Sequence, residues 1–130
     1  MLDLSSEDVR KRLSPAGLKA LSRIAKVWDL SDDEVRQLAG IGLLEAAHDL
    51  SAQPEQDCLT ADQLYRISCL ASIYQAIHVL HTRKLADKWI SLSNRNIIFG
   101  GASPLTYMIE GGIAAMCAVR RMLDARCQGQ

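Results

Sequence analysis

Aromatic side chains are scarce, with two Trp, three Tyr and one Phe making up 5% of the 130 residues, and glycine supplies only 8. With Ala, Leu and Ile abundant instead, the composition favours helix packing over sheets. No apolar run approaches the ~20 residues of a membrane span, and Met1-Leu-Asp-Leu-Ser-Ser-Glu-Asp8 lacks the basic and apolar regions of a signal peptide. A cytoplasmic protein is expected. The four cysteines (Cys58, Cys69, Cys117, Cys127) show neither CxxC spacing nor the density of a secreted disulfide scaffold, so reduced thiols are expected. The chain is too short for a large multidomain enzyme and shows no internal repeat, yet it can build a real core.

Net charge is also absent overall, but unevenly so: residues 1–60 carry 7 Lys/Arg against 11 Asp/Glu, and residues 61–130 carry 8 against 4. DNA binding starts with cations neutralising phosphates, and the acidic half is the one in which a DNA-reading motif would lie.

A short amphipathic segment over Ser6–Leu13 precedes Ser14-Pro15, which reads as an N-cap with proline at the first helical position. Leu18, Leu21, Ile24, Ala25 and Trp28 then recur at helical spacing, with Lys19, Ser22, Arg23 and Lys26 on the opposite side. Ser31-Asp-Asp-Glu34 reads as a capping box for a second helix ending near Ala39, broken by Gly40-Ile41-Gly42. A third helix is expected over 43–50, followed by a polar linker at 51–57. Thr60 caps a long helix, expected to run from Ala61 to Thr82. Its stripes Leu64, Ile67, Ala71, Tyr74 and Leu70, Ile73, Ile77, Leu80 leave a small, uncharged far side at Cys69, Ser72, Ala76 and Val79. Such a helix is either central to a core or covered by a second chain, and a homodimer contact is expected here. A short helix over Leu85–Ser91, an irregular loop over Asn94–Ala102 and a helix capped by Ser103-Pro104 follow. Glu110-Gly-Gly112 interrupts that helix, and Met116, Val119 and Leu123 then share one face.

Candidate chemistry is thin. His78 and His81 stand three apart on a helix, but zinc needs two further ligands that no local Cys or Asp supplies. They read as two half-buried histidines at the edge of an apolar stripe, and no metal or cofactor is expected. Phe99-Gly-Gly-Ala-Ser-Pro104 precedes a helix like a phosphate cradle, but it has no Lys and is explained as a cap. No Ser/His/Asp or Cys/His signature is present, so the chain is not expected to be an enzyme. Helix, Gly-centred turn and helix over 32–50 have helix-turn-helix spacing, which would present Gly42, Leu43, Leu44 and His48 to DNA. That segment, Leu43-Leu-Glu-Ala-Ala-His-Asp49, offers no Arg, Lys, Asn or Gln for bidentate base contacts.

Ala25-Lys-Val-Trp-Asp-Leu-Ser-Asp-Asp-Glu-Val-Arg-Gln-Leu-Ala-Gly-Ile41 is followed by Leu59-Thr-Ala-Asp-Gln-Leu-Tyr-Arg-Ile-Ser68 and Ile73-Tyr-Gln-Ala-Ile77. Then come Trp89-Ile, Asn94, Phe99-Gly-Gly101, Ser103-Pro-Leu105, Gly111-Gly112, Val119-Arg and Leu123-Asp-Ala125. In order, over about residues 14–126, this set resembles the Xre/MbcA/ParS-type antitoxins. The resemblance implies an all-α fold, with an Xre-like helix-turn-helix portion and linker at 1–57 and a toxin-binding domain at 58–130. It further implies dimerisation and a RES-domain, NAD-degrading toxin as partner, sterically inhibited by the C-terminal region, with possible autoregulation of the operon. Carried over position by position, Asn94, Phe99, Gly101, Ser103 and Pro104 with Arg120, Asp124 and Arg126 would form or support the toxin-facing surface. Relatives often end in a Gly-Gly-Trp-like tail, where this chain has Arg126-Cys-Gln-Gly-Gln130.

Removal of residues 120–130 is expected to leave the rest folded. DNA binding is expected to be weak or to depend on the toxin complex. Two other functions fit the same residues: a transcriptional regulator acting mainly through DNA, and a structural dimer with no toxin.

Overall fold

The computed structural model describes residues 6–42 and 59–129. Among these are five α-helices and one 3₁₀ turn, and no strand. They are α1 (Glu7–Val27), α2 (Asp32–Ala39), α3 (Ala61–Leu80), α4 (Arg83–Trp89), the turn Ile97–Phe99 and α5 (Pro104–Cys127). The chain is all-α, as its composition predicts. The expected helix over 43–50, with Leu43, Leu44 and His48, and the linker at 51–57 lie outside the described residues.

The expected helix start at Ser14-Pro15 is overturned, because α1 runs straight through it with Pro15 in its interior. Ser14 is buried, and its hydroxyl donates to the Arg10 carbonyl at 2.6 Å while accepting from the Leu59 amide at 2.9 Å. A Ser-Pro pair looks the same in sequence whether the serine caps a helix or clasps a distant segment. Here it clasps, and that long-range bond holds the start of α3 against α1 while Pro15 forgoes one helical hydrogen bond. Gly17 sits one turn further on, where a Cβ would come within 3.2 Å of Leu64 Cδ2, so the two helices approach closely at this point.

The capping box of α2 forms as the sequence predicts: the Glu34 amide donates to Ser31 Oγ at 3.1 Å, and the Ser31 amide donates to Glu34 Oε1 at 2.9 Å. Gly40 closes the helix in the left-handed region, φ 83°. A second capping box, Thr60 with Gln63, opens α3, and Gln63 Nε2 also donates to the Gly40 carbonyl at 3.1 Å. One side chain therefore fastens the end of α2 to the start of α3. Helix α3 stops at Leu80, two residues before the expected Thr82, since His81 is extended and Thr82 caps α4 by accepting from the Leu85 amide. For the same reason α4 begins at Arg83, not Leu85. Gly112 kinks α5 at φ 67°, ψ −149°, a region essentially closed to other residues.

Helix α3 is the axis of the fold and packs against α1, α2, α4 and α5. The buried side chains form one core that runs from Leu21, Ile24 and Trp28 on α1, through Leu70, Ile73 and Ile77 on α3, to Met116, Val119 and Leu123 on α5. This corrects the premise for self-association through α3. Cys69 and Ala76 are 0% and 6% exposed within the single chain, covered by α5, and Val79 is the member of that side left open, at 73%. Gly42, expected among the DNA-facing positions, is buried where a Cβ would come within 2.8 Å of Asp32 Oδ2.

Replacing Ser14 by Ala leaves the Leu59 amide buried without its acceptor and is expected to cost about 1–3 kcal/mol, read as a lower urea midpoint with unchanged slope. Gly112→Ala is expected to cost about 1–3 kcal/mol in the same assay, because no L-residue sits comfortably at that backbone geometry.

Candidate functional site

Between Trp89 and α5 the chain forms a loop braced by the Asn94, Asn96 and Ser103 side chains and by backbone bonds. Asn94 Oδ1 accepts from the Asn96 amide at 2.9 Å, and the Asn94 amide donates to the Ala102 carbonyl at 3.2 Å, closing the loop at its neck. Asn96 Oδ1 accepts from the Ile98 amide at 3.2 Å, which starts the 3₁₀ turn, and Gly100 ends that turn in the left-handed region. Phe99 anchors the turn inward: it is 3% exposed and meets Tyr107 edge-on at 5.3 Å and Trp89 at 6.1 Å. The Leu105 amide donates to the Ile90 carbonyl at 2.8 Å, and Ser103 Oγ accepts from the Thr106 amide at 3.2 Å. The loop is a preformed structure, and it surrounds a shallow hollow of about 450 Å³ lined by Ser93, Asn94, Arg95, Asn96 and Gly101 among others.

A contact at 3.0 Å between Asn96 Nδ2 and Met122 Sδ ties this loop to α5. Arg126 lies one turn beyond Met122 on the same flank of the helix and is exposed. Arg120 and Asp124 occupy the opposite flank, roughly 160–200° around the axis at 3.6 residues per turn. Arg120 is half-buried there, with its guanidinium 3.9 Å from Cys69 Sγ and 3.9 Å from Asp124 Oδ2. The charged residues expected to act together are thus divided: Arg126 joins the loop, while Arg120 and Asp124 face toward α3. Phe99 and Pro104 are buried and support the loop from within; Gly101 is exposed at φ 91° and Asn94 is half-buried. The expected independence of residues 120–130 is also corrected, since Leu123 is 0% exposed and belongs to the core.

The sequence reading missed the most conspicuous residue of this surface. Ile97 is 92% exposed on the turn, and the same loop exposes Leu92 at 48% and Arg95. The signal was available in Ile97-Ile98-Phe99, because three consecutive apolar residues in one tight turn cannot all point inward.

The histidines do not converge on a common ligand. His78 Nδ1 lies 2.9 Å from the Tyr74 carbonyl and Nε2 lies 3.0 Å from Asp87 Oδ1, whereas His81 stacks on Trp89. Among the described residues no group of three or more His, Cys, Asp or Glu is placed to hold a metal ion. Beside Arg120, burial pushes the Cys69 thiol above its usual range, with the Arg120 guanidinium pulling the other way. The hydrogen bond with Cys117, at 3.3 Å, raises the Tyr65 hydroxyl likewise. Both groups are therefore held in their neutral forms near neutral pH.

These features define an all-helical protein built on one central helix, with a braced loop beside its last helix. No helix among the described residues is long and apolar enough to cross a membrane. The chain is 36% identical over 117 residues, 88% of this chain and 87% of the relative, to the "Uncharacterized protein y4oB" of Sinorhizobium fredii (strain NBRC 101917 / NGR234). It belongs to the same family as that protein. No family model matches the chain, and no solved structure matches it.

Two measurements check this site. Ile97→Asp is expected to change stability by no more than about 0.5 kcal/mol while Phe99→Ala costs about 3–5 kcal/mol, the contrast between a displayed and an anchoring side chain. With a thiol reagent at neutral pH, Cys127, which is exposed, should react in the native protein, whereas Cys69 should react only on unfolding.

Proposed function

We propose that the chain is an antitoxin that acts by binding, seating the 92–103 loop and the Met122–Arg126 flank of α5 on a partner toxin and blocking access to its active site. The observation that carries this reading is Ile97, an aliphatic side chain 92% exposed on a turn that hydrogen bonds and Phe99 already hold in place. A preformed loop loses little conformational entropy on docking, so an apolar anchor displayed on it contributes most of its burial to affinity. Arg95 on the same loop and exposed Arg126 on α5 supply cations for pairing with acidic groups around a cleft. That the partner is a RES-domain, NAD-degrading toxin is what the resemblance to the Xre/MbcA/ParS-type antitoxins implies. Inhibition of this kind asks for no chemistry in the antitoxin, only shape and rigidity. Repression of its own operon belongs to the same proposal as an activity of the toxin complex, because the first 60 residues carry 7 Lys/Arg against 11 Asp/Glu and spare few cations for phosphates.

The test is co-expression with a RES-domain toxin encoded beside this chain while cellular NAD is followed. The wild type should preserve NAD. Ile97→Asp should weaken the complex by about 2–4 kcal/mol, the scale of an interface hot spot, and forfeit protection without loss of fold. Arg126→Glu should weaken binding by only about 0–1 kcal/mol from a solvated rim position. Full protection by Ile97→Asp would place the inhibitory surface elsewhere.

A further inference from the structure

On the side of α1 turned away from the core, Lys19 and Arg23 stand about one turn apart and exposed, and neither has a hydrogen-bond or ion-pair partner among the described residues. Where this side meets α3, two adjoining hollows of about 450 and 620 Å³ share Arg23, Tyr74 and Gln75. The methyl groups of Ala16, Ala20 and Ala71 line the first. Val79, the open member of α3's far side, lines the second together with His78 and Arg83, the exposed first residue of α4. Among the described residues no carboxylate lines either hollow, and Asp87, which neighbours the groove through His78, is engaged by His78 Nε2 at 3.0 Å. Tyr74 is fixed between Trp28 and His78, with ring centroids 6.0 and 4.2 Å away.

We propose that this groove between α1 and α3 is a second binding site, and that its occupant is an acidic amphipathic helix of a partner protein. Lys19, Arg23 and Arg83, three cations with no partner among the described residues, border a floor of small apolar side chains, so the groove is complementary to a helix with carboxylates on its flanks and aliphatic residues on its face. Arg23 and Arg83 can each take a carboxylate as a fork, and the alanines let the incoming backbone come close. From Ala16 to Arg23 the wall spans about 10 Å, two turns of a helix lying alongside. A phosphate chain would use the cations and gain nothing from Ala16, Ala20, Ala71 and Val79, which is why a peptide is favoured over nucleic acid. The site shares no residue with the loop carrying Ile97, so it does not depend on the antitoxin reading.

The probe is a fluorescent helical peptide of about four turns with Leu at i, i+3 and i+4 and Glu on both flanks, titrated against the full chain by anisotropy. Arg23→Glu and Arg83→Glu, both at exposed positions, should each weaken binding about tenfold or more, with thermal melts unchanged, and raising the salt should weaken it as well. Val79→Asp should weaken it by a similar factor through the apolar floor, while Ile97→Asp should leave it unchanged. Peptide-induced NMR shifts should centre on Tyr74 and Gln75. Affinity indifferent to both charge reversals would overturn the proposal. So would equal affinity for an all-Glu peptide or for duplex DNA, which would make the groove a general polyanion site, or self-association of the chain lost on the same reversals.

Discussion

Helix α3 carries apolar residues around nearly its whole circumference, and everything else in the fold answers to that fact. Leu64, Ile67, Leu70, Ile73 and Ile77 are at most 6% exposed, and so are Cys69 and Ala76 on the side the sequence suggested would need a second chain. Fully burying a Leu or Ile gains about 1.5–3 kcal/mol each, so a helix of this kind is stable only where neighbours wrap it. Four helices do so, and the small residues Cys69 and Ala76 are what let α5 lie close enough to take part. The polar bonds then fix which neighbour lies where. Ser14 binds the Leu59 amide and Gln63 binds the Gly40 carbonyl, so two side chains orient α1 and α2 at the N-terminal end of α3.

How legible the fold was depended on whether a signal is local. The capping box Ser31-Glu34 and the N-caps Thr60 and Ser103 formed as read, because such bonds join residues three apart and are determined within one turn. Gly40 and Gly112 were likewise readable, each sitting where the backbone takes a positive φ. Ser14-Pro15 misled because its purpose is long-range: the acceptor is local, but the donor is the amide of Leu59, and no window of sequence around Ser14 contains it. The same blindness applied to Cys69 and Ala76. Periodicity shows that a face is apolar, but not which element of the chain returns to cover it.

The candidate site shows the same division. The loop's Asn, Gly and Ser residues could be singled out from their types, but most of them serve the loop itself, as neck, turn and cap. Its outward residues are those with no internal duty, above all Ile97. A search for residues that look functional therefore finds the scaffold of a binding loop before it finds the surface. On α5 helical geometry divides by phase what the chain order groups together: Arg120, Asp124 and Arg126 lie within seven residues, yet Arg126 alone shares the flank of Met122.

Three open hollows lie at helix edges, one beside the loop and two between α1 and α3. Beside the α1–α3 hollows His78 is engaged by the Tyr74 carbonyl and Asp87. On these edges an aliphatic side chain stands on a braced turn, and cations without a partner among the described residues stand beside alanines. Covering an exposed aliphatic side chain lowers free energy, and a cation adds to that only where the covering surface brings a carboxylate, so both proposed docking surfaces call for a partner of matching chemistry.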